Sequence, residues 1–414
     1  MLLALGVALA AKYPTKFSAA TVANPQVKAA LAAVEAREKE MVEEWVRLTE
    51  IPAPSGQEQE RAAYVKAELE ALQLSDVRVD EVGNVSGVRK GVGGGPAVVF
   101  AAHMDTVFPR ETKLTVRRDG TTLRAPGVGD DTSNLTAMLE MFRALDRAGV
   151  QTKGDLIFLA TVQEETRLQG MKHWLTRREP KPAMLVAADI PLGLVWYGAL
   201  RLSALRFVYS AAGAHTLMSR GEPNPAKAVA QAITEIYKIP LPEPPTAMAP
   251  MKVPVINVGK MGGGTVVNAI PKEAWFTVDL RSFDSATQDR LETAVVKAAQ
   301  AAAQAEHVEF RLERPEGEDL DYSRAQTGAQ RRAHPMVQTA LDIQKHLKVM
   351  LVNEAMDVGS TDANVGVALG VPSIAVGAVW SRDAHTLEES ADGRTIVPGT
   401  KMLLLLAVSL AELP

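Results

Sequence analysis

The sequence predicts an α/β protein: a mostly parallel mixed sheet flanked by helices, carrying an inserted ferredoxin-like α+β domain. Three observations predict it. Ala97–Ala102 and Leu156–Ala160 are unbroken apolar runs, too short for helices, and read as strands covered on both faces. Strand-like and helix-like stretches alternate up to Asp189, the pattern of a sheet built from β-α-β units. Beyond Asp189 the order changes to β-α-β-β-α-β, a unit in its own right, and His and carboxylate motifs resume only after it. A chain of 414 residues also exceeds one ordinary core. The expected boundaries are an N-terminal tether over 1–34, a main domain over 35–195 and 315–414, and an insertion over 196–314.

Met1–Ala11 is uncharged and apolar, and Ala8-Leu9-Ala10 matches a small-x-small cleavage site. The run is too short to span a bilayer and lacks a basic leader. It reads as an export signal or as a short packed helix, with a periplasmic or secreted location favoured over the cytoplasm. Residues 12–34 carry Pro, Thr, Ser and Asn and read as the tether. Val34–Glu50 reads as a helix with Met41, Val42, Trp45 and Leu48 on one face, stopped by Ile51-Pro52-Ala53-Pro54-Ser55-Gly56. A helix from about Glu58 to Leu72 and strands near Val77–Glu81 and Val85–Arg89 follow. Leu114–Arg118 and Thr121–Ala125 read as a hairpin across Asp119-Gly120. The helix after Asp130 places Leu135, Met138, Leu139, Phe142 and Leu145 on one stripe.

In the insertion, strands are expected at Leu200–Ser210, Val253–Lys260, Ala274–Arg281 and Val308–Leu312. Helices are expected at Ala226–Tyr237 and Ala286–Ala305, with a proline-rich loop from Pro240 to Pro250. Met402–Leu410 reads as a buried helix, again too short for a membrane span.

Composition narrows the function classes. Net charge is −4 and no dense Lys/Arg block occurs, which weighs against nucleic acid and anionic membranes as partners. There is no cysteine, so any metal must be held by His, Asp and Glu. Five segments offer such groups. The first apolar run ends in His103-Met104-Asp105, and the second runs into Gln163-Glu164-Glu165. Between them lies Gly127-Val128-Gly129-Asp130-Asp131, before a helix. Met184–Ala188 ends in Asp189, and Val371–Gly377 is followed by Ala384-His385-Thr386. One His-x-Asp is weak evidence. Five such segments, all leaving strand ends or adjoining loops where α/β sheets bind ligands, suit a two-metal hydrolytic site.

In this order the motifs resemble those of the co-catalytic zinc exopeptidases, a family that includes carboxypeptidase G, peptidase T, succinyl-diaminopimelate desuccinylase and the aminoacylases. The resemblance runs from about Glu35 onward. It implies that His103 binds the first zinc and that Asp105 orients it. It implies that Asp130 bridges two zinc ions and precedes a cis peptide, that Glu164 is the general base and that Glu165 binds the second zinc. Asp189 and His385 would complete the two sites. The insertion would be a lid through which a homodimer forms. Its Gly213-Ala214-His215-Thr216 would bring His215 to substrate, and Asn268 and Arg281 resemble further substrate-binding positions. Thr132-Ser133 stand where the family often has Lys-Gly, and Ser360 replaces a glycine in Gly359-Ser360-Thr361-Asp362-Ala363-Asn364.

Such ligands suit zinc, with cobalt and manganese as alternatives. The resemblance points to an aminopeptidase of the di- or tripeptidase type acting on short peptides. A carboxypeptidase or an N-acyl-amino-acid amidohydrolase is the alternative. A metal-free scaffold would need neither the ligands nor Glu164. His173, His307, His334 and His346 lie in helix-like or polar contexts and read as ordinary residues.

Overall fold

A computed structural model describes residues 13–243, 252–314 and 320–414. The apolar N-terminal run and most of the proline-rich loop lie outside the described residues. The chain divides into two compact units, Met1–Ala199 with Ser323–Pro414, and Leu200–Tyr322.

In chain order the strands are β1 (Ser75–Val79), β2 (Val85–Arg89), β3 (Val98–His103), β4 (Arg117–Asp119), β5 (Thr122–Arg124), β6 (Leu156–Thr161) and β7 (Met184–Ala188). They continue as β8 (Arg201–Ser210), β9 (Val255–Gly263), β10 (Glu273–Ser282), β11 (Glu309–Glu313), β12 (Ser373–Val376), β13 (Ser381–Arg382) and β14 (Ser390–Asp392).

The first unit holds a six-stranded sheet in the order β1-β2-β6-β3-β7-β12. β3 pairs in parallel with β6 and β7, and β7 in parallel with β12, while β1 and β2 add antiparallel pairs at one side. Every residue of β3, β6, β7 and β12 is buried. This is why these strands read as continuous apolar runs: helices cover both faces. Parallel pairing also sends β3, β6, β7 and β12 out of the same edge of the sheet. A small antiparallel sheet, β13-β14-β5-β4, joins the hairpin before Asp130 to the one that carries His385.

Helix Thr132–Arg147 shows the expected stripe but is buried all round, from Thr132 to Leu145. Its outer face lies under other helices, and its polar residues are matched there. Arg143 pairs with Glu44 at 2.5 Å and Glu68 at 2.7 Å, and Glu140 pairs with Arg37 at 3.1 Å.

Two expectations are corrected here. The tether over 12–34 contains helices Ala19–Ala23 and Pro25–Ala36, with Val27, Ala30 and Val34 fully buried. The polar residues are caps: Asn24 Oδ1 accepts from the N–H groups of Gln26 and Val27, and Pro25 occupies the first helical turn. The helix expected over Val34–Glu50 is interrupted at Arg37 (φ −113°), where Glu38–Glu50 begins. The sequence reading also passed over helices Gly328–Ala333 and Pro335–Leu347. The C-terminal helix runs from Ile396 to Leu410 and packs inside the unit with Leu403, Leu404, Leu405 and Leu406 fully buried. By length and composition, Gly393–Leu410 could cross a bilayer; that burial accounts for its apolarity.

The second unit is β-α-β-β-α-β, with an antiparallel sheet in the order β11-β8-β10-β9. β10 alternates strictly, with Ala274, Phe276, Val278, Leu280 and Ser282 buried. One face packs on helices Pro225–Ile236 and Ser285–Ala305, and the other carries half-buried Trp275, Thr277, Asp279 and Arg281 of β10, the alternation usual in an antiparallel sheet. Phe207 and Phe276, directly paired across β8 and β10, bring their rings to 5.1 Å.

Candidate metal centre

Strand register builds the site. His103 ends β3 opposite Thr161 of β6, so His103-Met104-Asp105 and Val162-Gln163-Glu164-Glu165 leave the sheet side by side. Asp189 follows β7 and donates its N–H to Val376 of β12 at 2.9 Å. Asp130 arrives from the loop before helix Thr132–Arg147, and the Asp130–Asp131 peptide is cis, as the resemblance implied. His385 lies at the exposed end of the β13–β14 hairpin with φ 64°.

Asp130 stands between the two histidines. Its Oδ1 is 2.8 Å from His103 Nε2 and its Oδ2 is 3.2 Å from His385 Nε2. His103 Nε2 also lies 3.6 Å from Asp189 Oδ1, and His385 Nε2 lies 2.9 Å from Glu165 Oε1. Three groups of donor atoms result, each within 4.8 Å of one another. They are His103 with Asp130, Asp131 and Asp189; His103 with Glu164 and Glu165; and Asp130 with Glu165 and His385. The set consists of imidazole and carboxylate donors, as a divalent cation of the zinc type requires. Sequence-predicted His103, Asp130, Glu164, Glu165, Asp189 and His385 are therefore brought together.

Asp105 is wholly buried and acts as a hub. Its carboxylate accepts from Ser55 Oγ at 2.6 Å and from the backbone N–H groups of Glu164 at 2.9 Å and Glu165 at 3.2 Å. The contact at 3.0 Å to His103 Nδ1 is made by the Asp105 backbone carbonyl, with the carboxylate at 3.4 Å. An Nδ1–H held in this way leaves Nε2 free to face the centre.

Titration reflects this crowding. Burial opposes charge on His103, yet the carboxylates of Asp105, Asp130 and Asp189 outweigh it and raise its pKa well above the ordinary range. Contacts with Asp130 and Glu165 push His385 up to about 10. Burial, joined by the charges of Asp189, Asp362 and Glu165, raises Glu164 well above the usual carboxylate range. Burial likewise takes Asp189 to about 6.

Residues 99–409 match the sequence profile of peptidase family M20/M25/M40. The chain belongs to that family. A protein assigned as a LysW-lysine/LysW-ornithine hydrolase of Pyrococcus abyssi is 32% identical over 142 residues, 34% of this chain and 37% of the relative. The chain thus spans well under half the length of that curated relative. The solved aminopeptidase PepT of Bacillus cereus superposes with a TM-score of 0.72 at 18% identity, covering 91% of this chain and 99% of that one. The Bacillus subtilis YXEP protein, a dinuclear metal-binding peptidase of the M20 family, gives a TM-score of 0.68 at 16% identity, covering 92% and 100%. At these identities the likeness is one of fold: a metallopeptidase-type main domain with an inserted second domain.

The second unit carries the remaining expected residues. His215 is exposed, forms an isolated bridge to Ala269, and caps a short turn through Nδ1, which accepts from Leu217 N–H at 3.2 Å. Asn268 is exposed beside it, its carbonyl accepting from Thr216 N–H at 3.0 Å. Arg281 is not with them. It lies near the far end of β10, its guanidinium on Asp279 at 3.0 Å.

Three buried acids escaped the sequence reading. Asp131 accepts from His103 N–H at 3.0 Å and from Asn134 Nδ2 at 2.7 Å. Asp362 accepts from Thr161 Oγ1 at 2.6 Å, and burial pushes it up to about 7. Glu389 is wholly buried against the Asp130 loop, and burial raises it to about 7 despite three backbone donors. None of these stands at the end of an apolar run. Asp131 and Asp362 were signalled only as members of motifs read for other residues, and Glu389 only by lying four residues beyond His385.

Proposed function

We propose that this chain is a zinc-dependent exopeptidase that hydrolyses the terminal amide bond of short peptides, as an aminopeptidase of the di- or tripeptidase type. The observation that carries the proposal is Asp130, whose two oxygens face His103 and His385, with buried Glu164 in the adjoining donor group. His103 and Asp189 would hold one ion, Glu165 and His385 the other, and Asp130 both. Such ions, when bound, supply Lewis acidity to the carbonyl and to water.

The chain's own residues do the rest. Glu164 takes the proton of the attacking water and returns it to the leaving amine, and burial with the neighbouring carboxylates favours its protonated form, the one that delivers that proton. Asp105 fixes the Glu164-Glu165 turn through its backbone, so the two neighbouring glutamates keep separate tasks. His215, Asn268 and Arg281 are proposed as substrate contacts and the second unit as the dimerisation surface.

Membership of a peptidase family and the hydrolase name of the Pyrococcus relative support a hydrolytic reading. An N-acyl-amino-acid amidohydrolase or a carboxypeptidase is the second reading. The test is a panel of di- and tripeptides, N-blocked peptides and N-acyl amino acids on Zn²⁺-loaded protein. Cleavage of free dipeptides and tripeptides, abolished by blocking the amine, is expected. Preference for N-acyl substrates would overturn the aminopeptidase assignment.

A further inference from the structure

The loop Gly127-Val128-Gly129-Asp130 is clamped on two sides. Its carbonyls are taken by side chains of two helices: Trp45 Nε1 donates to Val128 O at 2.6 Å, Thr132 Oγ1 to Gly127 O at 2.7 Å and Ser133 Oγ to Gly129 O at 2.7 Å. Three of its four N–H groups converge on one carboxylate, that of Glu389, while the Val128 N–H goes to the Ala125 carbonyl at 3.2 Å. Oε2 accepts from Gly127 N–H at 2.7 Å, and Oε1 accepts from Gly129 N–H at 2.7 Å and Asp130 N–H at 2.8 Å. The Glu389 carbonyl also accepts from Ala125 N–H at 3.2 Å.

Burying a carboxylate is costly unless its oxygens are satisfied, and three backbone donors to one ionised acceptor form a strong, directional set. The loop is shaped to admit it. Gly127 has φ +74°, and a Cβ on Gly129 would meet Glu389 Oε1 at 2.9 Å and Ser381 Cβ at 2.5 Å. Glu389 is 259 residues from Asp130 in sequence but only four beyond His385, on the same hairpin. The carboxylate that fixes the Asp130 backbone therefore belongs to the element that carries His385.

We propose that Glu389 is a positioning residue: it locks the Asp130 loop to the β13–β14 hairpin and thereby sets Asp130 and His385 at the spacing that lets them share a divalent ion. It touches neither substrate nor ion. It acts through backbone N–H groups, so its identity matters as a double acceptor. Glutamine matches its shape but replaces one acceptor oxygen with a donor, turning at least one of the three bonds into a donor–donor contact. The inference rests on the metal-dependent reading of the same centre.

The test uses the full chain, stripped of metal and titrated with Zn²⁺ by calorimetry, with Co²⁺ absorption as a second readout. Wild type should take up two ions. Folded Glu389→Gln should hold one of them 10–100-fold more weakly, the scale seen when groups behind metal ligands are removed. Its Co²⁺ spectrum should change, and kcat should fall more than KM rises. A merely structural role would lower the melting temperature and leave the affinity of the folded protein unchanged. Gly129→Ala keeps Glu389 but wedges the hairpin off the loop, so it should weaken the same ion and serves if Glu389→Gln does not fold. Wild-type Zn²⁺ affinities and Co²⁺ spectrum in either folded variant would overturn the proposal. If wild type binds two ions but cleaves no amide, the functional reading fails and this one stands.

Discussion

The two histidines of the centre differ in almost everything except the carboxylate between them. His103 ends a buried parallel strand, its side chain 1% exposed, with its Nδ1 held by a backbone carbonyl. His385 sits on a hairpin at positive φ with its side chain 53% exposed, and its Nε2 pairs with Asp130 and Glu165. One half of the site is built on the sheet, and the other is delivered to it. A strand end places a ligand by the hydrogen-bond ladder alone. A hairpin needs a further tether, and here a buried glutamate four residues away provides it. The sheet side should therefore be the rigid, high-affinity half and the hairpin side the labile one.

The adjacent glutamates divide along this line, which allows the sharpest test. Glu164→Ala should cut kcat by about 10²–10⁴-fold with metal content unchanged, measured by steady-state kinetics and elemental analysis. Glu165→Ala should instead lose one ion, on the hairpin side. Loss of metal in Glu164→Ala would break the division.

A second comparison is of stability. His103→Ala removes the positive partner from a buried cluster of carboxylates. It should destabilise the metal-free protein by about 3–5 kcal/mol, read from urea unfolding. His385→Ala, at the solvent-screened surface, should cost less than His103→Ala while lowering Zn²⁺ uptake from two ions to one. Equal losses in the two variants would erase the distinction.

The smallest effect is in pH. Metal-free His385 is raised from 6.5 to about 10, so its contribution is complete below about pH 6.5 and is lost as pH climbs through 10. Asp189, raised from 3.8 to about 6, and Asp362, raised to about 7, hold protons that the unfolded chain has released. Their effect has the same sign, with stability falling from about pH 4 to 7. The melting temperature of metal-free protein should thus decline with pH, and His385→Ala should reduce the decline above pH 6.5, leaving the share that His103 contributes. Zn²⁺ should reverse the trend, because its ligands must shed protons to bind. A metal-free melting curve that rises from pH 7 to 10 would contradict these shifts.

The strand-end residues were legible because parallel strands covered on both faces leave long apolar runs, and a polar residue at their end stands out. The second unit was legible for the opposite reason, since Ala274, Phe276, Val278 and Leu280 alternate cleanly. The N-terminal helices were missed although Asn24-Pro25 is a helix start. So was the helix at Gly328, whose capping box is visible as Thr327 and Gln330. Polar residues at helix starts look like loops, even where, as at Val27, Ala30 and Val34 after Asn24, small and apolar residues follow at helical spacing. Asp131, Asp362 and Glu389 were out of reach because their partners, His103, Thr161 and the Asp130 loop, are distant in sequence or are backbone atoms.

The second unit interrupts the first between Ala199 and Ser323, and this has a consequence for synthesis. Sheet strand β7 finds its parallel neighbour β12 only after the whole intervening stretch has emerged from the ribosome. At about 5–20 residues per second that delay is roughly ten to forty seconds. During it the inserted unit already has all four of its strands, while β7 presents an apolar, unpaired edge, a template for aggregation if uncovered. The inserted unit is therefore complete in strands before the main sheet is, and the half of the centre made last is the half that His385 brings.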